Sequence, residues 1–368
     1  MKKKSIPLLL LLLLPAIGLF ACGGDGGDSG NSARTDLPEY TGLSLENLPD
    51  SRILDVPTTK ALGGFCFIES FSMQMAYIDN SVTTQEVSAI SGSGAILSYD
   101  SYLKAFTAEV PYPKSALQYE TQNYGVHYIL GSAQGYSRLY NNAHAKLTYK
   151  TADDALKYLK AVINSGRPAQ VYIDLGYMPS HPKFKNANIQ PGTGSHWILA
   201  TGYDSDGIYM NETYYEIYNE SPDKFKNFEI PLNEFLVSWE KGGNLASGAD
   251  QSGPYWMMFI EEKTKDQLTN KKSVADILAM QKELSANNAS TIENNLNSDF
   301  SATQWNTIAT SKESFGDYLI NIGNADAGNV YKELAGYYRA CRNKMRDEIK
   351  DDLNSLIKPK EIEAREKY

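Results

Sequence analysis

Cys66 and His196 are the two residues of this chain whose surroundings suit them for covalent chemistry. Cys66 lies in Gly63-Gly64-Phe65-Cys66-Phe67-Ile68-Glu69-Ser70, after a glycine turn and at the start of an apolar run. A thiol at a helix N-terminus feels the positive end of the helix dipole, which favours thiolate over thiol. His196 opens the β-branched and aromatic stretch Ser195-His196-Trp197-Ile198-Leu199-Ala200-Thr201-Gly202-Tyr203-Asp204, and an imidazole there can serve as the base. Such a pair also needs an acceptor that orients the imidazole, and the strand next to the histidine strand is its natural source. Asn211 and Glu212 stand there, fifteen and sixteen residues past His196. Side chains alternate along a strand, so one of the two faces the histidine and the other faces away.

The elements that must position these residues can be read from periodicity. Residues 65–79 carry Phe67, Ile68, Phe71, Met75 and Ile78 at near-helical spacing, which predicts a buried helix led by the cysteine. Thr83 and Thr84 suit a second helix start, 92–97 is a glycine-rich turn, and 99–106 is expected to be helical. Residues 152–165 place Ala155, Leu156, Leu159, Val162 and Ile163 on one face and stop at Gly166. The period then changes to that of strands: 168–175, 196–203 and 207–211, with Asp204-Ser205-Asp206-Gly207 as a hairpin turn. Segments 214–218 and 228–230 could continue the sheet, 232–239 reads as a short helix, and 255–260 closes with a strand. Helices first and an antiparallel sheet after them is an α+β order. Beyond residue 265 the composition turns to Ala, Leu, Lys, Glu and Asn, with helices expected at 274–284, 315–322 and 330–357. The last would carry Tyr331, Leu334, Tyr338, Cys341, Met345 and Ile349 on one stripe.

Other residues compete for attention. Cys341 could form a disulfide with Cys66, the bland alternative to a nucleophile in an oxidising compartment. Asp174, inside an apolar strand, is either hydrogen-bonded structure or a site residue, with structure favoured. Glu69 is expected to cap the first turn of its helix. His127, His144 and His181 sit in polar, loop-like contexts that assemble no zinc site, and no cofactor or metal is expected. The turn at 204–207 lacks the closing glutamate of a calcium loop.

The order Cys66, His196, Glu212, with the histidine strand running through a hairpin into Ile208-Tyr209-Met210-Asn211-Glu212, resembles the papain-like families typified by bacteriocin-processing double-glycine peptidases. It is similar also to the family of the N-terminal domain of butirosin biosynthesis protein H. There too a cysteine-led helix is followed by a segment like Ser91-Gly92-Ser93-Gly94-Ala95-Ile96-Leu97-Ser98-Tyr99, a strand like Val171-Tyr172-Ile173-Asp174-Leu175, and the histidine hairpin. The resemblance spans roughly residues 55–262. It implies a papain-like fold, a Cys66–His196–Glu212 triad with Asn211 as the alternative orienting residue, and hydrolysis or acyl transfer at a peptide or amide bond. Two positions depart from the pattern: Lys60 stands where double-glycine peptidases carry an oxyanion glutamine, and Glu212 replaces an aspartate.

The N-terminus supplies an address. Lys2, Lys3 and Lys4 precede the apolar run 8–14, and Leu19-Phe20-Ala21-Cys22 looks like a bacterial lipobox, with Cys22 the lipid-modified residue. Residues 23–32 behave as a flexible tether. The expected organisation is a signal peptide at 1–21, tether and lead-in at 22–54, a papain-like domain at 55–264 and a helical C-terminal domain at 265–368. Removal of the three positive charges Lys2, Lys3 and Lys4 takes the net charge from −9 to −12, which argues against a nucleic-acid partner. The expected setting is the bacterial cell envelope, on the outer face of a membrane reached through the lipid on Cys22. A protein partner is expected at most for the helical region.

Overall fold

The computed structural model describes residues 37–62, 66–92, 98–100, 105–107, 123–135, 143–182, 189–214, 221–250, 253–280, 282–283, 302–341 and 352–367. Its centre is a sheet of eight strands: β1 (Arg52–Ile53), β4 (Tyr128–Ser132), β5 (Ala145–Thr148), β6 (Ala169–Asp174), β7 (Ser195–Tyr203), β8 (Gly207–Asn211), β9 (Phe228–Pro231) and β10 (Met257–Ile260). Their spatial order is β5-β4-β10-β6-β7-β8-β9, with β1 paired to the far end of β7. Pairing is antiparallel except between β4 and β5.

Helices cover both faces. Helix α1 (Cys66–Ile78) is apolar nearly all round, and every residue in it except Tyr77 is buried, as a helix enclosed on all sides must be. It packs Phe67, Ile68, Phe71 and Met75 against Tyr128, Leu130, Tyr172, Trp197 and Met258 of one sheet face. Buried amides fasten it: Gln170 Nε2 donates to Phe67 O at 3.0 Å, Tyr128 OH donates to Gln170 Oε1 at 2.7 Å, and Gln74 Nε2 donates to Pro168 O at 3.1 Å. Helix α2 (Thr84–Ile90) starts where Thr83 Oγ1 accepts from Glu86 N. Helix α3 (Ala152–Asn164), capped the same way by Thr151, lays Leu159, Val162 and Ile163 on the opposite face beside Ile129, Val171, Ile173 and Ile198. Helix α4 (Leu232–Asp250) adds Phe235 and Trp239 there.

The α+β class, with N-terminal helices on a largely antiparallel sheet and a helical region after it, is the architecture found. Several local expectations are corrected. Residues 99–106 are not helical: β2 (Ser98–Asp100) and β3 (Ala105–Thr107) form a two-stranded sheet with Tyr99 opposite Phe106, aromatics suited to cross-strand pairing. Strands β4 and β5 lie where no strand was expected. Helix α4 runs past Gly242, whose missing side chain lets it cross β6. A Cβ there would stand 2.4 Å from the Ile173 backbone. The lead-in is structured from residue 37: Leu37 and Leu54 are buried, Lys146 N donates to Pro38 O, and Leu54 N donates to Thr201 O. Residue Tyr214 forms an isolated bridge with Lys60, and 215–218 lies outside the described residues. So do Cys22, the signal and tether, Gly63, Gly64, Met345 and Ile349.

The C-terminal region builds its own core from α5 (Ala302–Asn321), α6 (Ala325–Cys341) and α7 (Lys358–Glu366). Of the single helix expected at 330–357, α6 is described to Cys341, 342–351 lies outside the described residues, and a π-helical turn at Leu353–Ile357 leads into α7; Tyr338 meets Glu361, which one straight helix would not allow. Tyr331, Leu334, Tyr338 and Cys341 do form a buried stripe, and Ala89 of α2 joins them, seating this region on the body. Inside it Lys312, fully buried, pairs with Glu361 at 2.7 Å, and Tyr338 OH donates to the same carboxylate at 2.8 Å. Among the described residues no helix is long and apolar enough to cross a membrane.

Candidate active site

Cys66 is the first residue of α1, so its thiol sits where the helix amides are unpaired and the dipole is positive. It is only 6 % exposed. Cys66 and Cys341 are not joined in a disulfide and lie in different cores, so the disulfide alternative is overturned.

His196 is the second residue of β7, next to the middle strand of the sheet, opposite Ile173 of β6. Its Nε2 stands 2.5 Å from Glu212 Oε2, and Cys66 lies near enough to act on the ring's pKa. With Nε2 engaged by the carboxylate, Nδ1 is the ring nitrogen left for the sulfur. Burial disfavours the imidazolium, but the Glu212 charge and bonds to Glu212 and Cys66 more than offset it and push the pKa up to about 10. The ring therefore holds its proton at neutral pH, which is the state that stabilises a neighbouring thiolate.

Glu212 follows the last residue of β8 and is 3 % exposed. Its backbone N–H donates to Phe225 O, and its Oε1 accepts from Thr213 N at 2.9 Å. Asn211 points the other way: its Nδ2 donates to Val56 O at 2.8 Å and its Oδ1 accepts from Asn227 N at 2.7 Å. A β-bulge decides between them. Near the hairpin turn Tyr203 pairs with Ile208 and Gly202 with Tyr209, but Ala200 pairs with Met210 and Leu199 with Asn211. Thr201 is thus an extra residue on β7. Carrying the shifted register one step further sets Glu212 opposite Ile198, on the face of His196. Without the bulge Asn211 would take that face.

The approach to His196 is held by Asp174. Its Oδ1 accepts from Gly176 N and Gly194 N at 3.0 and 3.2 Å, and its Oδ2 from Gly192 N at 2.7 Å. The carboxylate, fully buried, therefore ties down the segment between β6 and β7, the structural alternative weighed for it. Trp197, on the opposite face from His196, packs edge-on against Phe67 and Trp256.

Glu69, in the first turn of α1, also reaches beyond its helix: its Oε1 accepts from Leu62 N at 2.6 Å and its Oε2 from the Thr213 hydroxyl at 2.9 Å. One expectation is corrected: His181, expected in a polar, loop-like context, is fully buried with Nε2 3.8 Å from Glu212 Oε2, its ring against Phe228. Periodicity gave no sign of either contact, since both join segments far apart in the chain. His127 binds Glu262 at 2.7 Å and lies beside His144, away from this group. Among the described residues no cluster of three or more His, Cys, Asp or Glu side chains is arranged to hold a metal ion. Lys60, at the place of the oxyanion glutamine, contributes backbone pairing with Tyr214 while its side chain is exposed.

A thiol on a helix N-terminus beside an imidazole on a sheet strand, in a helix-on-sheet body, belongs to the papain-like cysteine peptidase type of fold. The model of the Peptidase_C39 like family matches residues 53–247, more than half of the chain, and the chain belongs to that family. No curated protein matches it.

Proposed function

We propose that this protein is a papain-like cysteine hydrolase or acyltransferase, acting on a peptide or amide bond through Cys66, His196 and Glu212. The observation that carries the reading is the His196–Glu212 contact at 2.5 Å, with Cys66 at the helix start near enough to act on the same imidazole. In this mechanism the Cys66 thiolate attacks the carbonyl carbon, and His196 gives its proton to the departing amine, leaving a thioester. His196 then takes a proton from the incoming water or amine, which attacks the thioester and releases the sulfur. Glu212 keeps Nε2 protonated throughout, so that Nδ1 alone exchanges protons with the reacting atoms. The backbone N–H of Cys66, at the helix start, is the candidate donor to the oxyanion in place of the missing glutamine side chain.

The likeness to the butirosin-type family raises acyl transfer from a carrier protein. A lipobox ending at Cys22 argues instead for a protein anchored in the bacterial cell envelope, on the outer face of a membrane, where peptide or amide substrates are at hand. Residues 265–368 form a helical domain in this reading, available to a protein partner. One observation favours a second reading, a binding lipoprotein without turnover: Lys60 stands in the place of the oxyanion glutamine and is exposed to solvent.

Labelling with a thiol-directed electrophile tests the reading. Wild-type protein is expected to label at one position, and Cys66→Ala to lose the label entirely. Undiminished labelling of that variant would assign the reactivity to Cys341 and remove the nucleophile.

A further inference from the structure

Resting on the catalytic reading of Cys66 and His196, we propose that Glu69 is a positioning residue which, through Thr213, locks the helix bearing Cys66 to the strand end bearing Glu212. Glu69 lies one helical turn beyond Cys66 and is 4 % exposed. A carboxylate is costly to bury, so its partners show what it is kept for. One oxygen accepts from the backbone of Leu62, on the segment that enters α1; the other accepts from the Thr213 hydroxyl at 2.9 Å. Thr213 is the neighbour of Glu212. Its Oγ1 is also 3.2 Å from Glu212 Oε1, and its N–H donates to that same oxygen. The bonds thus run without a break from Leu62 through Glu69, Thr213 and Glu212 to His196.

This arrangement has a geometric consequence. The sulfur rides on α1 and the imidazole is steered by Glu212, so their separation depends on how α1 is registered against the end of β8. The Glu69–Thr213 bond is a direct tie between those two elements. Near the reacting atoms, misplacement by about 1 Å can cost on the order of a hundredfold in rate. The hydroxyl carries a single proton and donates to one carboxylate at a time, so the link tolerates reversed polarity provided one donor remains between each pair. Among the described residues, the ionisable side chains grouped with the Cys66–His196 pair are Glu212, Glu69 and His181.

The test is the rate of Cys66 alkylation by iodoacetamide across pH, on the full chain, with folding checked by circular dichroism. Thr213→Val keeps the volume and removes the hydroxyl. It is expected to slow alkylation at pH 7 about tenfold and to change the shape of its pH dependence, as the sulfur loses its registered imidazole. Thr213→Ser restores the wild-type profile. Glu69→Ala behaves like Thr213→Val. Glu69→Gln stays within about threefold of wild type, because its amide still accepts from Leu62 and donates to Thr213. Folded Thr213→Val protein with the wild-type rate and profile overturns the proposal and leaves Glu69 a purely structural group. Wild-type alkylation whose rate and pH dependence are unchanged by His196→Ala instead sinks the Cys66–His196 reading, and this proposal with it.

Discussion

Glu212→Gln is expected to lower turnover of an amide substrate by on the order of 10³–10⁴-fold while leaving the protein folded. The reasoning is one of tautomers. In the wild type Nε2–H donates to Glu212 Oε2, so Nδ1 is free to exchange a proton with Cys66. Thr213 N donates to the other carboxylate oxygen, Oε1. A glutamine keeps its carbonyl oxygen toward that N–H and turns its NH₂ toward His196. Nε2 must then accept, so the ring holds a single proton, on Nδ1, and Cys66 loses the imidazolium that stabilises its thiolate. The imidazolium also loses the charge that offsets its burial. Single-turnover kinetics on the variant measure the effect, and a loss of less than tenfold would show that Glu212 does not set the tautomer.

A second large effect is expected far from the site, on stability. Lys312 is fully buried among the C-terminal helices, where desolvation lowers its pKa and Glu361 works against that shift. Glu361→Ala strands the ammonium and also removes the acceptor of the Tyr338 hydroxyl. The cost should be roughly 3–5 kcal/mol of unfolding free energy, because a buried charge without its partner cannot recover its hydration. Replacing both partners with apolar residues, Lys312→Met with Glu361→Leu, should restore most of that loss. Urea unfolding followed by helix signal would measure both. A loss below about 1 kcal/mol for Glu361→Ala would place the pair in water, as for an ordinary surface ion pair.

What the residues alone could reveal followed the range of the forces involved. The cysteine-led helix was legible because Phe67, Ile68, Phe71 and Met75 repeat at helical spacing, and the histidine hairpin because Asp204-Ser205-Asp206-Gly207 interrupts two apolar runs. Asp204 indeed closes that turn, accepting from Asp206 N and Gly207 N. The choice between Asn211 and Glu212 was not legible from spacing, because it hangs on the extra residue at Thr201. A bulge leaves no mark in hydrophobic alternation as short as that of β8. Tyr99 and Phe106 lie in a segment too short for its period to separate helix from strand, and their pairing decided the matter. The contacts of Glu69 and His181 were not legible for a common reason: their partners, Leu62 with Thr213 and Glu212, reach them through tertiary structure alone.

The central claim is that His196 is held as an imidazolium between Glu212 and the sulfur of Cys66. Following its ring nitrogens by NMR as pH is raised tests this most directly. The account predicts a protonated ring at pH 8 that gives up its proton only near the value of about 10. It also predicts that Cys66→Ala lowers that value, since both the bond and the charge of the sulfur act to raise it. A ring already neutral at pH 8 and titrating near the ordinary histidine value of about 6.5 would contradict the account.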